Sequence, residues 1–158
     1  MLIGVISDTH GLLRPQAVAA LRDARVEHIL HAGDVGNYAI LEALEALAPV
    51  SAIRGNIDLA GRCAELPATD AVELGGKLLY LVHSIHDLDI KPDAAGVSVV
   101  ISGHSHRASI DSRQGVLYLN PGSAGPRRFS LPVTLALLTL PEGDDVPLEA
   151  SIVDLSPP

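Results

Sequence analysis

Up to Ile101, short runs of apolar, often β-branched residues alternate with stretches whose apolar positions recur at helical spacing. Leu2 to Ile6 reads as a buried strand. Pro15 then opens a helix where its missing amide proton costs nothing, with Ala17, Val18 and Leu21 on one face and an end near Ala24. Glu27 to Leu30 reads as a second strand. Asn37 is placed to cap a helix carrying Ile40, Leu41, Leu44 and Leu47, which Pro49 stops before a third strand, Val50 to Ile53. This order predicts βαβ units, a largely parallel sheet and the α/β class.

The pattern then changes. Ala71 to Leu74 and Lys77 to Val82 flank Gly75-Gly76, a two-residue hairpin signal, and Val97 to Ile101 adds another apolar strand. Arg107 to Ile110 pairs in pattern with Val116 to Leu119, and Pro132 to Leu140 with Leu148 to Leu155, each pair across a polar turn. Two mixed sheets with helices outside are expected, as one domain over residues 1–158, with the proline-rich final residues read as a frayed end. No repeat or linker interrupts this reading.

Bulk composition narrows the function. The longest apolar stretch, Leu131 to Leu140, is too short for the ~20 residues a membrane helix needs. Met1 leads directly into the first strand without a basic segment, and Cys63 stands alone, so a cytoplasmic protein without disulfides is expected. A formal charge of -8 argues against long nucleic acids, whose binding depends on Lys and Arg. A small phosphate ester stays compatible. Two divalent cations would supply about +4, of which Asp8 and Asp34 would cancel about half. A homo-oligomer is compatible with the sequence, which does not address assembly.

The candidate chemistry lies where predicted strands end: Asp8-Thr9-His10, Gly33-Asp34, Gly55-Asn56, His83 and Gly103-His104-Ser105-His106. Open α/β sheets place ligand sites just beyond the carboxyl ends of strands, so distant residues converge there without distorting the core. Singly, Asp8 could cap a turn, Asn56 could hold a left-handed loop residue, and each histidine could be solvated. Jointly, seven residues of metal-binding type on one predicted sheet edge point to a metal site. Imidazoles mixed with carboxylates and an amide oxygen suit manganese, iron, zinc, nickel or cobalt. An amidohydrolase barrel would require about 250 residues and a different motif order.

These motifs, in this order and with Asn120-Pro121-Gly122-Ser123 following, resemble the calcineurin-like metallophosphoesterases. The similarity is to their small bacterial and archaeal phosphodiesterase branch, which also resembles the retromer subunit of the Vps29 type. It spans nearly the whole chain and implies a four-layer αββα sandwich of two mixed sheets with helices on both outer sides. By the same resemblance Asp8, His10 and His106 would bind one divalent metal, Asn56, His83 and His104 a second, and Asp34 would bridge them. The implied cofactor is a pair of such ions, manganese foremost. They would activate a water for attack on a phosphodiester, so no protein nucleophile is required.

Two departures stand out. Larger relatives carry a histidine after the asparagine ligand to protonate the leaving group, and Ile57 occupies that place here. Close relatives show His-Gly-His where this chain has His83-Ser84-Ile85-His86-Asp87, so His86 either substitutes for the second histidine or is merely exposed. His31 reads as a hydrogen-bonded core residue, Asn120 and Ser123 as loop-shaping residues, and Arg54, Arg127 and Arg128 as cations that could touch a substrate anion but are more often solvated, all outside the catalytic set. The competing readings are a phosphomonoesterase or nucleotidase on the same site, and a non-catalytic protein-binding scaffold.

Overall fold

The computed structural model describes residues 1–156; the frayed end expected at the last two prolines lies outside them. Among the described residues ten strands form two mixed sheets. In the first sheet, β1 (Leu2–Ile6), β2 (His28–His31) and β3 (Val50–Ala52) run parallel, joined by helices α1 (Pro15–Ala24) and α2 (Ala39–Glu45). The late strands β9 (Thr134–Thr139) and β10 (Glu149–Asp154) complete it, giving the order β10-β9-β1-β2-β3 with β9 antiparallel to both neighbours. Arg25 at φ +57 ends α1, and its amide closes on the Arg22 and Leu21 carbonyls. The Asn37 side chain accepts from Ala39 N–H at 3.0 Å, so it serves the start of α2 from just outside, while Tyr38 holds the boundary position.

The second sheet orders its strands β4-β5-β6-β8-β7: β4 (Thr69–Leu74), β5 (Lys77–Val82), β6 (Val97–Ile101), β7 (Ser109–Arg113) and β8 (Val116–Asn120). The β4–β5 and β7–β8 hairpins are antiparallel, and β5, β6 and β8 are parallel. Gly75 and Gly76, at φ +56 and +75, turn the first hairpin as their sequence predicts.

Side-chain alternation distributes the core. Ile3, Val5 and Leu30 face Leu79, Leu81, Val99, Ile101 and Leu119 between the sheets. Ile6 and Ile29 point the other way, onto Leu21 of α1 and Leu44 of α2. The outer face of the second sheet is covered differently: Val82, Val97, Val100 and Val116 pack under Ile85, Leu88 and Ile90. That cover is a segment with one short 3-10 turn, Ile85–Asp87, so the fourth layer here is thin and carries no α-helix among the described residues. The fold is the α/β sandwich of two mixed sheets that the sequence led us to expect.

Candidate metal centre

The carboxyl ends of β1, β2 and β3 open on the same edge as those of β5 and β6, and the seven candidate residues are brought together there. Asp8 and His10 follow β1, Asp34 follows β2 and Asn56 follows β3; His83 follows β5, and His104 and His106 follow β6. Among the described residues eight non-glycine residues have positive φ, and five are candidates: Asp8 (56°), His10 (46°), Asp34 (56°), His104 (70°) and His106 (63°). Left-handed backbone is uncommon outside glycine, is best tolerated by Asp, Asn and His, and collects at functional sites. Here each chain turns back on itself just after leaving its strand.

The exit loops are laced together by backbone bonds, Asp8 N–H to Gly33 O at 3.0 Å, His10 N–H to Asp34 O at 2.9 Å and Gly103 N–H to His83 O at 2.8 Å. Asp58, which closes the Gly55-Asn56-Ile57-Asp58 motif but had no role in the expected ligand set, contributes a knot. Its buried carboxylate accepts from Val35, Gly36 and Gly55 N–H at 3.1, 3.0 and 2.9 Å, joining the Gly33-Asp34-Val35 and Gly55-Asn56 loops. The signal was its place two residues after Asn56; its partners are backbone groups, which leave no trace in side-chain patterns. Asn120 donates to Gly103 O and Ser105 Oγ and accepts from Gly122 N–H, and Ser123 Oγ donates to Asp8 O, so both shape the loops as expected.

Two glycines allow close approach. A Cβ on Gly55 would strike the Asp34 carboxylate, and one on Gly103 would strike Ser7 Oγ and the Asp8 carboxylate.

Each aspartate has one oxygen held by protein donors and one left for the histidines. Asp8 Oδ2 accepts from Ser7 Oγ at 2.7 Å and His104 N–H at 3.0 Å, whereas Oδ1 lies 3.6 Å from His10 Nε2 and 3.4 Å from His106 Nε2. Asp34 Oδ1 accepts from Ile57 N–H at 3.0 Å, whereas Oδ2 lies 3.4 Å from His10 Nε2 and 3.2 Å from His83 Nε2. Asp34 thus stands between two clusters. Donor atoms of Asp8, His10 and His106 lie within 4.8 Å of one another, as do those of Asp34, His83 and His104. Asn56 Oδ1 joins the second cluster, 3.1 Å from His83 Nε2 and 3.3 Å from His104 Nδ1.

The fit to a cation can be tested on the polar atoms themselves. Asp8 Oδ1, His10 Nε2 and His106 Nδ1 are buried without a hydrogen-bond partner, a costly state that a bound cation would relieve for atoms turned toward it. Asn56 gives a parallel reading. Reversing its amide would let the NH2 donate to His83, His104 and both Asp34 oxygens, the arrangement favoured without an ion; the oxygen-inward orientation suits one with it.

Burial disfavours ionised Asp34, but its bonds from His83 and Ile57 N–H prevail and bring its pKa to about 2. Burial likewise opposes protonation of His83, yet the Asp34 carboxylate and Ala32 carbonyl raise its pKa above the ordinary value. His106 is lowered, chiefly by burial.

The remaining sequence candidates fall outside the cluster. His31 is fully buried, with Nδ1 accepting from Gly33 N–H and Nε2 3.0 Å from Thr9 Oγ1, a structural role as expected. His86 is exposed on the 3-10 turn, and Asp87, not His86, lines the cavity of about 540 Å³ that opens beside Asn56, His83 and His104. His86 thus lies outside both the cluster and the cavity lining. Ile57 contributes its backbone N–H, and its side chain is 40% exposed, so it offers no proton.

Paired mixed sheets with Asp, His and Asn donors gathered at the strand exits define a metal-dependent phosphoesterase scaffold. The chain belongs to the calcineurin-like phosphoesterase superfamily, whose domain model matches residues 1–143. A probable metallophosphoesterase of Methanothermobacter thermautotrophicus is 37% identical, covering 100% of this chain and 95% of its own. A phosphodiesterase of Methanocaldococcus jannaschii is 30% identical, covering 77% of this chain and 83% of its own. The zinc complex of Vps29 from Entamoeba histolytica superposes with a TM-score of 0.74 at 23% identity, over 99% of this chain and 100% of that one. No helix among the described residues is long and apolar enough to cross a membrane.

Proposed function

We propose that the chain is a single-domain phosphodiesterase using two divalent cations, with Asp8, His10 and His106 holding one, Asn56, His83 and His104 the other, and Asp34 shared. The carrying observation is Asp34 Oδ2, placed 3.4 Å from His10 Nε2 in one cluster and 3.2 Å from His83 Nε2 in the other. Manganese is the first ion to test, with iron, nickel, zinc and cobalt compatible with the same donors. Bound there, the cations would supply Lewis-acid stabilisation of the phosphoryl oxygens and lower the pKa of an attacking water.

The protein's contribution is positional. Ser7, the His104 amide and the Ile57 amide fix the rotation of the two carboxylates. Ala32 O, 2.7 Å from His83 Nδ1, holds that nitrogen as the donor and leaves Nε2 facing the cluster, the outer support that metal-binding histidines use. Ile57 offers no acid to the leaving group, which favours esters whose alcohol departs unaided. The relative named as a phosphodiesterase supports the diester reading.

The deciding experiment loads purified protein with manganese and compares hydrolysis of bis(p-nitrophenyl) phosphate with that of p-nitrophenyl phosphate. Metal-dependent turnover of the diester, abolished in Asp34→Ala, is expected. Faster monoester turnover would move the assignment to a phosphomonoesterase. No turnover of either, with one ion or none per chain, would move it to a binding scaffold.

A further inference from the structure

The two clusters differ in access, and the difference has a direction. Asp8, Asp34 and His106 are buried, whereas Asn56 and His104 are exposed and form one wall of the 540 Å³ cavity. That volume lies within the range of about 300–1,000 Å³ typical of small-molecule sites. A phosphate seated between the clusters would have this cavity on one side. The rest of the wall is Gly55, His83, Arg54, Thr69, Ser84 and Asp87, with Ala68 and Val82 as its apolar part. Among the described lining residues there is no Phe, Tyr or Trp, and the only rings are the imidazoles of His83 and His104, which the proposed cation would engage, so the wall favours no stacked aryl group or base. A guanidinium, two hydroxyls and a carboxylate instead match the hydroxyls of a sugar-like alcohol.

Arg54 is held in place. Its N–H donates to Pro67 O at 2.9 Å and its Nη1 to Leu66 O at 2.6 Å, so backbone and side-chain tip are moored to the same segment leading into β4. Among the described residues no carboxylate lies within 4.0 Å of the guanidinium, and its other N–H groups have no protein acceptor. A moored, permanently charged fork with unused donors is suited to bind a phosphate or carboxylate.

We infer, resting on the diesterase reading above, that this cavity receives one esterified arm of the substrate, that the arm is a sugar-like alcohol bearing a further phosphate, and that Arg54 selects for that charge. The test uses manganese-loaded wild type, Arg54→Ala and Arg54→Lys with two substrates sharing one leaving group, the p-nitrophenyl ester of thymidine 5′-phosphate with and without a 3′-phosphate. Wild type is expected to favour the 3′-phosphorylated ester by about tenfold in kcat/KM, with the preference expressed in KM, lost in Arg54→Ala and partly kept in Arg54→Lys. Equal use of both esters by wild type, or a preference that survives Arg54→Ala, overturns the inference. Calorimetric binding of thymidine 3′,5′-bisphosphate to the same three proteins separates the two claims. If neither ester is hydrolysed the diesterase reading fails, while binding about tenfold weaker in Arg54→Ala still supports the subsite, and unchanged binding removes it.

Discussion

His83 Nδ1 lies 2.7 Å from the carbonyl oxygen of Ala32, a contact that crosses from the exit of β5 in one sheet to the exit of β2 in the other. A carbonyl can only accept, so this bond places a proton on Nδ1 and leaves Nε2 facing Asp34 and Asn56. One hydrogen bond thus helps dock two strand ends and turns the Nε2 of a candidate ligand toward the cluster.

Removing that imidazole should separate the two clusters. In His83→Ala, metal analysis should show loss of one ion with the Asp8, His10 and His106 cluster still loaded, whereas Asp34→Ala should weaken both. Diesterase activity should fall by at least about 100-fold in each. Two ions retained by His83→Ala would contradict the partition.

Asp58 touches none of the proposed ligands, yet three backbone N–H groups depend on its carboxylate. Asp58→Ala strands those donors and should cost about 3 kcal/mol in urea unfolding, with metal affinity falling as the two loops loosen. Asp58→Asn keeps an acceptor oxygen and should recover part of both losses. A stability change under about 0.5 kcal/mol would show that water replaces the carboxylate.

Gly103→Ala tests close approach. Its new methyl meets Ser7 Oγ and the Asp8 carboxylate, so Asp8 must rotate or the loop must lift. Metal affinity should drop by about 10–100-fold with the circular dichroism spectrum unchanged. Affinity equal to wild type would mean that the loop shifts at no cost to the ligands.

The buried His31 predicts an acid-sensitive stability. Burial first, only partly offset by Asp58 and Asp34, pushes its pKa from 6.5 to about 4. Between those values the unfolded chain binds a proton that folded His31 refuses, so its stabilising contribution is complete above 6.5 and disappears as pH falls to about 4. That interval corresponds to about 3 kcal/mol. Urea titrations of chelated protein across it should slope accordingly, and His31→Gln should flatten the slope; an unchanged slope would assign the effect elsewhere.

Chelation should also lower the melting temperature. Converging lone pairs and five left-handed non-glycine residues make the ion-free site costly. Cation at 100 times its Kd would restore about 2.7 kcal/mol. Coincident melts with and without manganese would argue that no ion binds.

Much of this architecture was legible in the chain because it rests on period. The turn of α1 around Ala17 and Leu21 and the hairpin at Gly75-Gly76 follow from apolar spacing and turn chemistry, and both lie where expected. Boundaries moved where tertiary pairing decided them: β7 begins at Ser109, not Arg107, because its register is set by β8. The seven donors could be named from their strand-end positions, but their left-handed backbone, the Asp58 knot and the His83–Ala32 bond depend on main-chain groups that no residue type encodes. His86 stayed between two readings because nearness in sequence to His83 does not reveal the 3-10 turn, which leaves His86 exposed and Asp87 at the cavity.

The site draws Asp8, His10, Asp34 and Asn56 from one sheet and His83, His104 and His106 from the other. An ion shared by such ligands is a reversible crosslink between residues nearly a hundred positions apart, in a chain whose lone Cys63 rules out an internal disulfide. Loss of the ion would leave that edge to the hydrogen bonds from His104 N–H to Asp8, from Ser123 to Asp8 and from His83 to Ala32, while the apolar seam between the sheets stayed closed. Metal supply would then tune the stiffness of that edge as well as the proposed chemistry.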